Sequence, residues 1–253
     1  SDWAQGYAYQ MWRGRNNTVR LDGMGGQFVV LIPDKDAIVV FTANASNTQK
    51  ELNLMHDYLI PAIKSEKALP PAPELIKEIQ KRTAALAIKP DFATSSESET
   101  EPKITGNEFM LNNNDYNIQS VYFDFKNDEL TLALKRDNTI LSVKAGKENW
   151  KISNTQSSSL LAPSRNNFSK SIDATYSVNQ PVIKLGASYS WIDANTLEIK
   201  GRFVEESLGS ETIVCKFSAQ GDDTRVSIES KASQISFRGQ QPVTLRGVMV
   251  NIK

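Results

Sequence analysis

From Ile104 onward the chain repeats one pattern: short runs that alternate apolar and polar residues, separated by Asn, Asp and Gly turns. Ser120-Val121-Tyr122-Phe123-Asp124-Phe125 passes through Lys126-Asn127-Asp128 to Leu130-Thr131-Leu132-Ala133-Leu134, and Arg136-Asp137-Asn138 leads to Ile140-Leu141-Ser142-Val143. Later runs are 188–191, 197–203, 212–217, 225–228 and 243–246. Side chains of a strand point alternately to its two faces, so this rhythm predicts strands with one buried face. Turn signals every eight to twelve residues predict an antiparallel barrel or sandwich.

The first hundred residues differ. Tyr7 to Arg13, Gly26 to Pro33 and Ala37 to Ala43 read as three strands of a meander, the third so apolar that both its faces are expected to be buried. Asn44 to Asn47 offer helix caps, with Thr48 and Glu51 spaced as a capping box. Leu52, Met55, Leu59 and Ile63 then recur at helical spacing, forming a face able to cover the sheet, until Pro61 distorts or ends the helix. Leu69 to Pro73 reads as a stiff linker. Glu74 to Ile88 reads as a second helix, with Leu75, Ile76, Ile79 and Leu86 inward. The acidic, hydroxyl-rich stretch Thr94 to Pro102 has no apolar anchor and reads as a flexible loop or domain boundary. The organisation is therefore α+β: a small antiparallel sheet with a covering helix over 1–66, a linker, helix and acidic loop over 67–102, and an all-β domain over 103–253.

Composition excludes several functions. Lys plus Arg (29) equals Asp plus Glu (29), so no global field attracts nucleic acid. The single cysteine, Cys215, excludes an internal disulfide and reads as a buried strand residue; the single histidine, His56, excludes a multi-histidine metal site and reads as a surface or helix-packing residue. No metal or cofactor is expected. No apolar run is long enough to span a bilayer, and the opening Ser1-Asp2-Trp3 lacks a leader, as though residue 1 were a boundary within a longer product. No serine is followed by lysine three positions on, and Tyr-x-Asn is absent. Ser164-Arg165-Asn166 has the form Ser-x-Asn in a polar loop, where chance accounts for it.

Asp22-Gly23-Met24-Gly25-Gly26-Gln27 is the exception, a glycine-rich turn that leads straight into an apolar strand. Three glycines in four positions admit positive φ and close approach to the backbone. With Gly6 to Trp12, Ile32 to Asp36, Ile38 to Thr42 and Asp57 to Ile63 in order, the first 65 residues resemble the C-terminal end of the serine β-lactamase and penicillin-binding-protein-like hydrolases. The resemblance is closest to the class C, esterase and 6-aminohexanoate-dimer-hydrolase branch and covers about a quarter of the chain.

The resemblance implies that the nucleophilic serine, its lysine and a tyrosine lie upstream, and that the glycine strand forms the third wall of the site. It assigns the Met24 backbone N–H as an oxyanion-hole donor and Gly23, Gly25, Gly26 and Gln27 as the strand along which substrate lies. Where many members carry Lys-Thr-Gly or a histidine, this chain has Asp22 and Met24. It further implies an exported or periplasmic protein, a small-molecule or peptide-like substrate bound with the missing half, and no activity for this chain alone. The β-rich remainder resembles a lipocalin-like accessory domain. Two other functions compete: a ligand- or glycan-binding barrel, with Trp150, Trp191, Tyr176 and Tyr189 either lining a pocket or packing a core, and a dimerisation domain that uses the exposed edge of the small sheet.

Overall fold

The computed structural model describes residues 1–64, 67–92, 94, 96–137, 139–155, 161, 183–204, 210–232 and 243–250. Tyr176 and Ser164 to Asn166 lie outside them. The chain divides into two compact units, Ser1–Ala87 and Ile88–Lys253. The linker helix therefore belongs to the first unit, and the acidic stretch belongs to the second.

The first unit contains one antiparallel sheet of five strands in sequential order: β1 (Tyr7–Ala8), β2 (Met11–Arg13), β3 (Val19–Gly23), β4 (Gln27–Ile32) and β5 (Ala37–Phe41). Two more strands are present than the sequence suggests. Tyr7 to Arg13 is a hairpin whose turn residues, Tyr9 and Gln10, both take positive φ (51° and 62°) without the Asn or Gly that usually announces such a turn. Pro33–Lys35 makes a single tight turn between β4 and β5, with Asp36 left-handed at φ 46°.

Asn47 caps α1 (Thr48–Leu54), its side chain accepting from the Lys50 N–H at 3.1 Å. The cap thus falls one residue before Thr48, and Glu51 closes no capping box. One wide turn, Met55–Leu59, in which the Ile60 N–H reaches the Met55 carbonyl, joins α1 to α2 (Ile60–Ala62). Such a turn inserts a residue into the helical repeat just before Pro61, which has no N–H to give. The apolar stripe shifts accordingly: Leu52 and Met55 share a buried cluster with Phe28, Val30 and Ile32, and Ile60 packs against it in place of the expected Leu59, which is exposed.

Two further expectations fail in this unit. β5 is not buried on both faces: Ala37, Val39 and Phe41 turn toward the cluster, whereas Ile38 and Val40 are 66 % and 63 % exposed. An unbroken apolar run hides the alternation that burial reveals, and β5 is the last strand of the sheet. The second helix, α3 (Pro73–Ala84), is shorter than expected, and Leu75, Ile76 and Ile79 on it, like Leu86 beyond it, are exposed instead of inward. Pro73 at its first turn and the Glu74–Lys77 and Glu78–Arg82 pairs support it locally.

The second unit is a closed barrel and not a sandwich. Its strands are β6 (Asn107–Leu111), β7 (Ile118–Lys126), β8 (Glu129–Arg136), β9 (Thr139–Lys147), β10 (Lys151–Thr155), β11 (Ile183–Asp193), β12 (Thr196–Phe203), β13 (Ser210–Gln220), β14 (Asp223–Ala232) and β15 (Val243–Val250). Antiparallel pairing runs from β11 through β15 to β6 and on to β9, and a short parallel seam, Gly146 to Ser188 and Lys147 to Tyr189, closes nine strands into a ring. β10 pairs with the other half of β11. At the seam a Cβ on Gly146 would meet the Asn149 carbonyl at 2.6 Å, so glycine permits the approach.

Inward residues fill the ring. Phe109, Phe123 and Phe217 meet pairwise with centroids 5.4 to 5.7 Å apart, Trp191 lies 5.8 Å from Phe217, and Phe125 touches both Trp191 and Tyr189. Trp191 and Tyr189 are thus core residues. Trp150 is half-buried, its indole N–H donating to the Ile88 carbonyl at 2.8 Å. Cys215 is fully buried on β13, and burial pushes its thiol pKa up.

The acidic stretch is anchored, contrary to its reading as a loose loop. Thr94, Ser96 and Ser98 donate hydroxyl hydrogen bonds to the carbonyls of Ile192, Trp191 and Ala194, and Thr100 donates to the Asn195 side chain at 2.6 Å. Glu101 accepts the Trp191 indole N–H at 2.6 Å, and α4 (Glu101–Ile104) inserts Ile104 into the barrel core. Hydroxyls supply the hold that the sequence lacks in apolar side chains.

Candidate functional site: the glycine turn

β3 and β4 pair from Val19–Leu31 to Gly23–Gln27, leaving Met24, Gly25 and Gly26 as a three-residue connection. Gly25 and Gly26 take φ of 77° and 87°, which L side chains rarely adopt, so the glycines here serve conformation. Three attachments fix the turn. The Ala45 N–H donates to the Gly25 carbonyl at 2.9 Å, the Gln27 side-chain amide donates to the Ala43 carbonyl, and the Glu51 carboxylate lies against the Gly26 α-carbon. The segment between β5 and α1, together with Glu51 of α1, thereby clamps the turn from one side.

Glu51 Oε2 is buried without a hydrogen-bond partner, and desolvation raises its pKa. A raised folded-state pKa favours the neutral carboxyl, so its contribution is present below the unfolded value and fades as pH rises. Glu51→Gln is therefore expected to stabilise this unit at neutral pH, with the gain vanishing toward pH 4, measured by urea denaturation. Gly26→Ala should cost about 2 kcal/mol, because its Cβ adds left-handed strain and falls onto that carboxylate. Glu51→Ala in the same chain should restore part of the loss.

Gly23 and Gln27 line a shallow cleft of about 390 Å³ together with Asp22, Thr42 and the aliphatic Leu21, Val29 and Val40. Met24, Gly25 and Gly26, expected to supply the oxyanion donor and part of the substrate strand, do not line the cleft: Met24 is exposed, and Gly25 and Gly26 are buried, Gly26 beneath the Glu51 carboxylate. Asp22 accepts from the buried Arg20 at 3.0 Å, and Arg20 in turn sits 4.6 Å over the Trp3 ring. That pairing makes Asp22 a structural counter-ion as well as a cleft residue.

His56 is brought to neither the cleft nor the surface. It is buried, with Nε2 3.2 Å from Asp2 Oδ1 and Nδ1 3.2 Å from the Asn16 amide. Asp2, 1 % exposed, also accepts from the Arg15 N–H and Nε and from Gln49 Nε2, while its own N–H donates to Gln49. Arg15 reaches on to Asn53 at 2.7 Å. This buried clasp joins the first residues, the β2–β3 turn and the helix; sequence reasoning missed it because its members lie up to 54 positions apart.

Among the described residues no cluster of three or more His, Cys, Asp or Glu is arranged for a metal ion, and no helix is long and apolar enough to cross a membrane. No family model matches the chain, and no curated protein matches it. Among solved structures, a fatty acid-binding protein from the brain tissue of Drosophila melanogaster, crystallised without citrate inside, aligns at 11 % identity and a TM-score of 0.32, over 58 % of this chain and 98 % of that one.

Proposed function

We propose that residues 1–66 are the glycine-wall portion of an exported β-lactamase-like serine hydrolase, whose complete domain cleaves amide or ester bonds, and that the barrel is its lipocalin-like accessory domain. The observation that carries this reading is the cleft lined by Gly23 and Gln27 beside the glycine turn; Gly25 and Gly26 are buried and shape the turn without lining the cleft. In this reading the Met24 N–H stabilises the developing oxyanion, and substrate lies along Gly23 and Gln27. Thr42 is the cleft's one hydroxyl side chain, and no lysine or histidine lines the cleft to activate it. An oxyanion donor without an activated nucleophile supplies no covalent step, so this chain alone is inactive.

The interlocked aromatics inside the barrel favour a packed accessory role over a ligand-holding one. The zero net charge supports no nucleic-acid partner.

A fluorogenic ester and nitrocefin test the reading. The isolated chain should show no turnover, and turnover that survives repurification would overturn its dependence on a missing half. Joined in frame to a preceding segment bearing Ser-x-x-Lys and Tyr-x-Asn, the chain should gain turnover. Met24→Pro, which deletes the donor N–H, should then lower kcat on the order of 100-fold.

A further inference from the structure

The wall of the barrel carries a concavity of about 250 Å³ on the outward side of β6 to β9, away from the packed interior. Strand register explains it. Two neighbouring cross-strand rows run Glu108–Tyr122–Ala133 and Met110–Ser120–Lys135–Ile140, so the short side chains of Ser120 and Ala133 lie among long ones. A bulge between Ile118 and Ser120 bends β7 beside them. Outward residues of a barrel ordinarily face water, yet Ser120 is 2 % exposed and forms the floor of the cleft. The Ser120 hydroxyl donates to the Glu108 carboxylate, which keeps further capacity to accept. The Tyr122 hydroxyl can donate and accept, and the Lys135 ammonium brings three donors and has no ion-pair partner among the described residues. The Tyr122 ring, Ala133 and the exposed Ile140 supply apolar surface between these groups.

We propose that this cleft binds one neutral sugar ring, a pyranose unit of a glycan. A sugar hydroxyl donates and accepts at once, which suits a carboxylate, two hydroxyls and an ammonium side by side. The C–H face of the ring suits Tyr122, Ala133 and Ile140. Other ligand classes fit less well. A wholly apolar ligand would strip water from Glu108 and Lys135 without pairing either. A simple anion would meet the Glu108 charge, and a simple cation the Lys135 charge. The volume lies below the roughly 300 to 1,000 Å³ of sites for drug-sized ligands, which limits the occupant to a single ring. All six lining residues belong to the barrel, so the proposal is independent of the hydrolase reading.

Titration of the full chain with glucose, galactose, mannose and N-acetylglucosamine, followed by amide chemical shifts, tests it. At least one of these sugars should bind with a millimolar dissociation constant and move the amides of Glu108, Ser120, Tyr122 and Lys135. Ala133→Leu, which fills the floor, should abolish those shifts, and Tyr122→Ala should weaken binding about 10-fold. If Ala133→Leu disturbs the circular dichroism spectrum, Lys135→Met at the exposed rim keeps the fold and should still weaken binding several-fold. Lys231→Met on β14, outside the cleft, should leave binding unchanged. Absence of these shifts with all four sugars at tens of millimolar overturns the proposal, as does binding that survives both Ala133→Leu and Lys135→Met. Tighter binding of inorganic phosphate or glycine at the same amides would assign the cleft to an ion or a zwitterion and overturn it equally.

Discussion

Asp2→Ala is expected to cost the first unit about 3 kcal/mol, because a fully buried carboxylate with several donors leaves those donors unpaired when it is removed. Chemical denaturation with hydrogen exchange of the β3 to β5 amides measures it. Burial by itself would raise the Asp2 pKa. The Gln49 side chain, the Arg15 N–H, the Arg15 charge and His56 outweigh it and bring the pKa from 3.8 down to about 2. A carboxylate depressed in the folded state stabilises above its unfolded pKa and loses that contribution as pH falls through the folded one. The first unit should therefore lose about 2 kcal/mol between pH 4 and pH 2, and Asp2→Asn should flatten that slope. Arg15 is 38 % exposed, so salt should weaken only its share.

Trp191→Ala is expected to remove about 4 kcal/mol from the barrel, since one ring both fills the aromatic cluster and anchors the segment before β6. Trp191→Phe separates the roles: the packing is largely kept and the hydrogen bond to Glu101 is lost. A double-mutant cycle of Trp191→Phe with Glu101→Ala, which removes the acceptor, should return a coupling of about 1 kcal/mol. Amide exchange at Ser96, whose N–H donates to the Trp191 carbonyl at 2.8 Å, should quicken in Trp191→Phe as α4 loosens.

Strand rhythm made most of the barrel legible. Asn127 and Asp128 take positive φ between β7 and β8, and the alternating runs became β7 to β9 and β11 to β15. β6 and β10 leave no such trace, each being only five residues long with two polar Asn, Glu or Lys residues among them. Closure itself was not legible, because a two-residue parallel seam leaves no periodic trace. In the first unit, apolar content told which residues form elements but not which are covered, as Ile38, Val40 and Leu75 show. The glycine turn was legible because positive φ has a residue signature. The Asp2 clasp has none: its polar residues resemble solvated surface until the fold gathers them.

The order in which the ring closes carries a consequence for folding. Most neighbouring strands are joined by hairpins or short connections, yet β15 lies against β6, with Gly247 opposite Leu111, 136 positions apart. Pairing across such a separation costs loop entropy that local hairpins do not, and long-range strand pairing is intrinsically slow. During synthesis, β6 to β9 can form a curved meander early, but its free edge waits on the ribosome until β15 emerges. That interval is when the chain is most open to capture by other β-rich chains, and a chaperone that shields the β6 edge would raise the yield of closed barrel without altering its final stability.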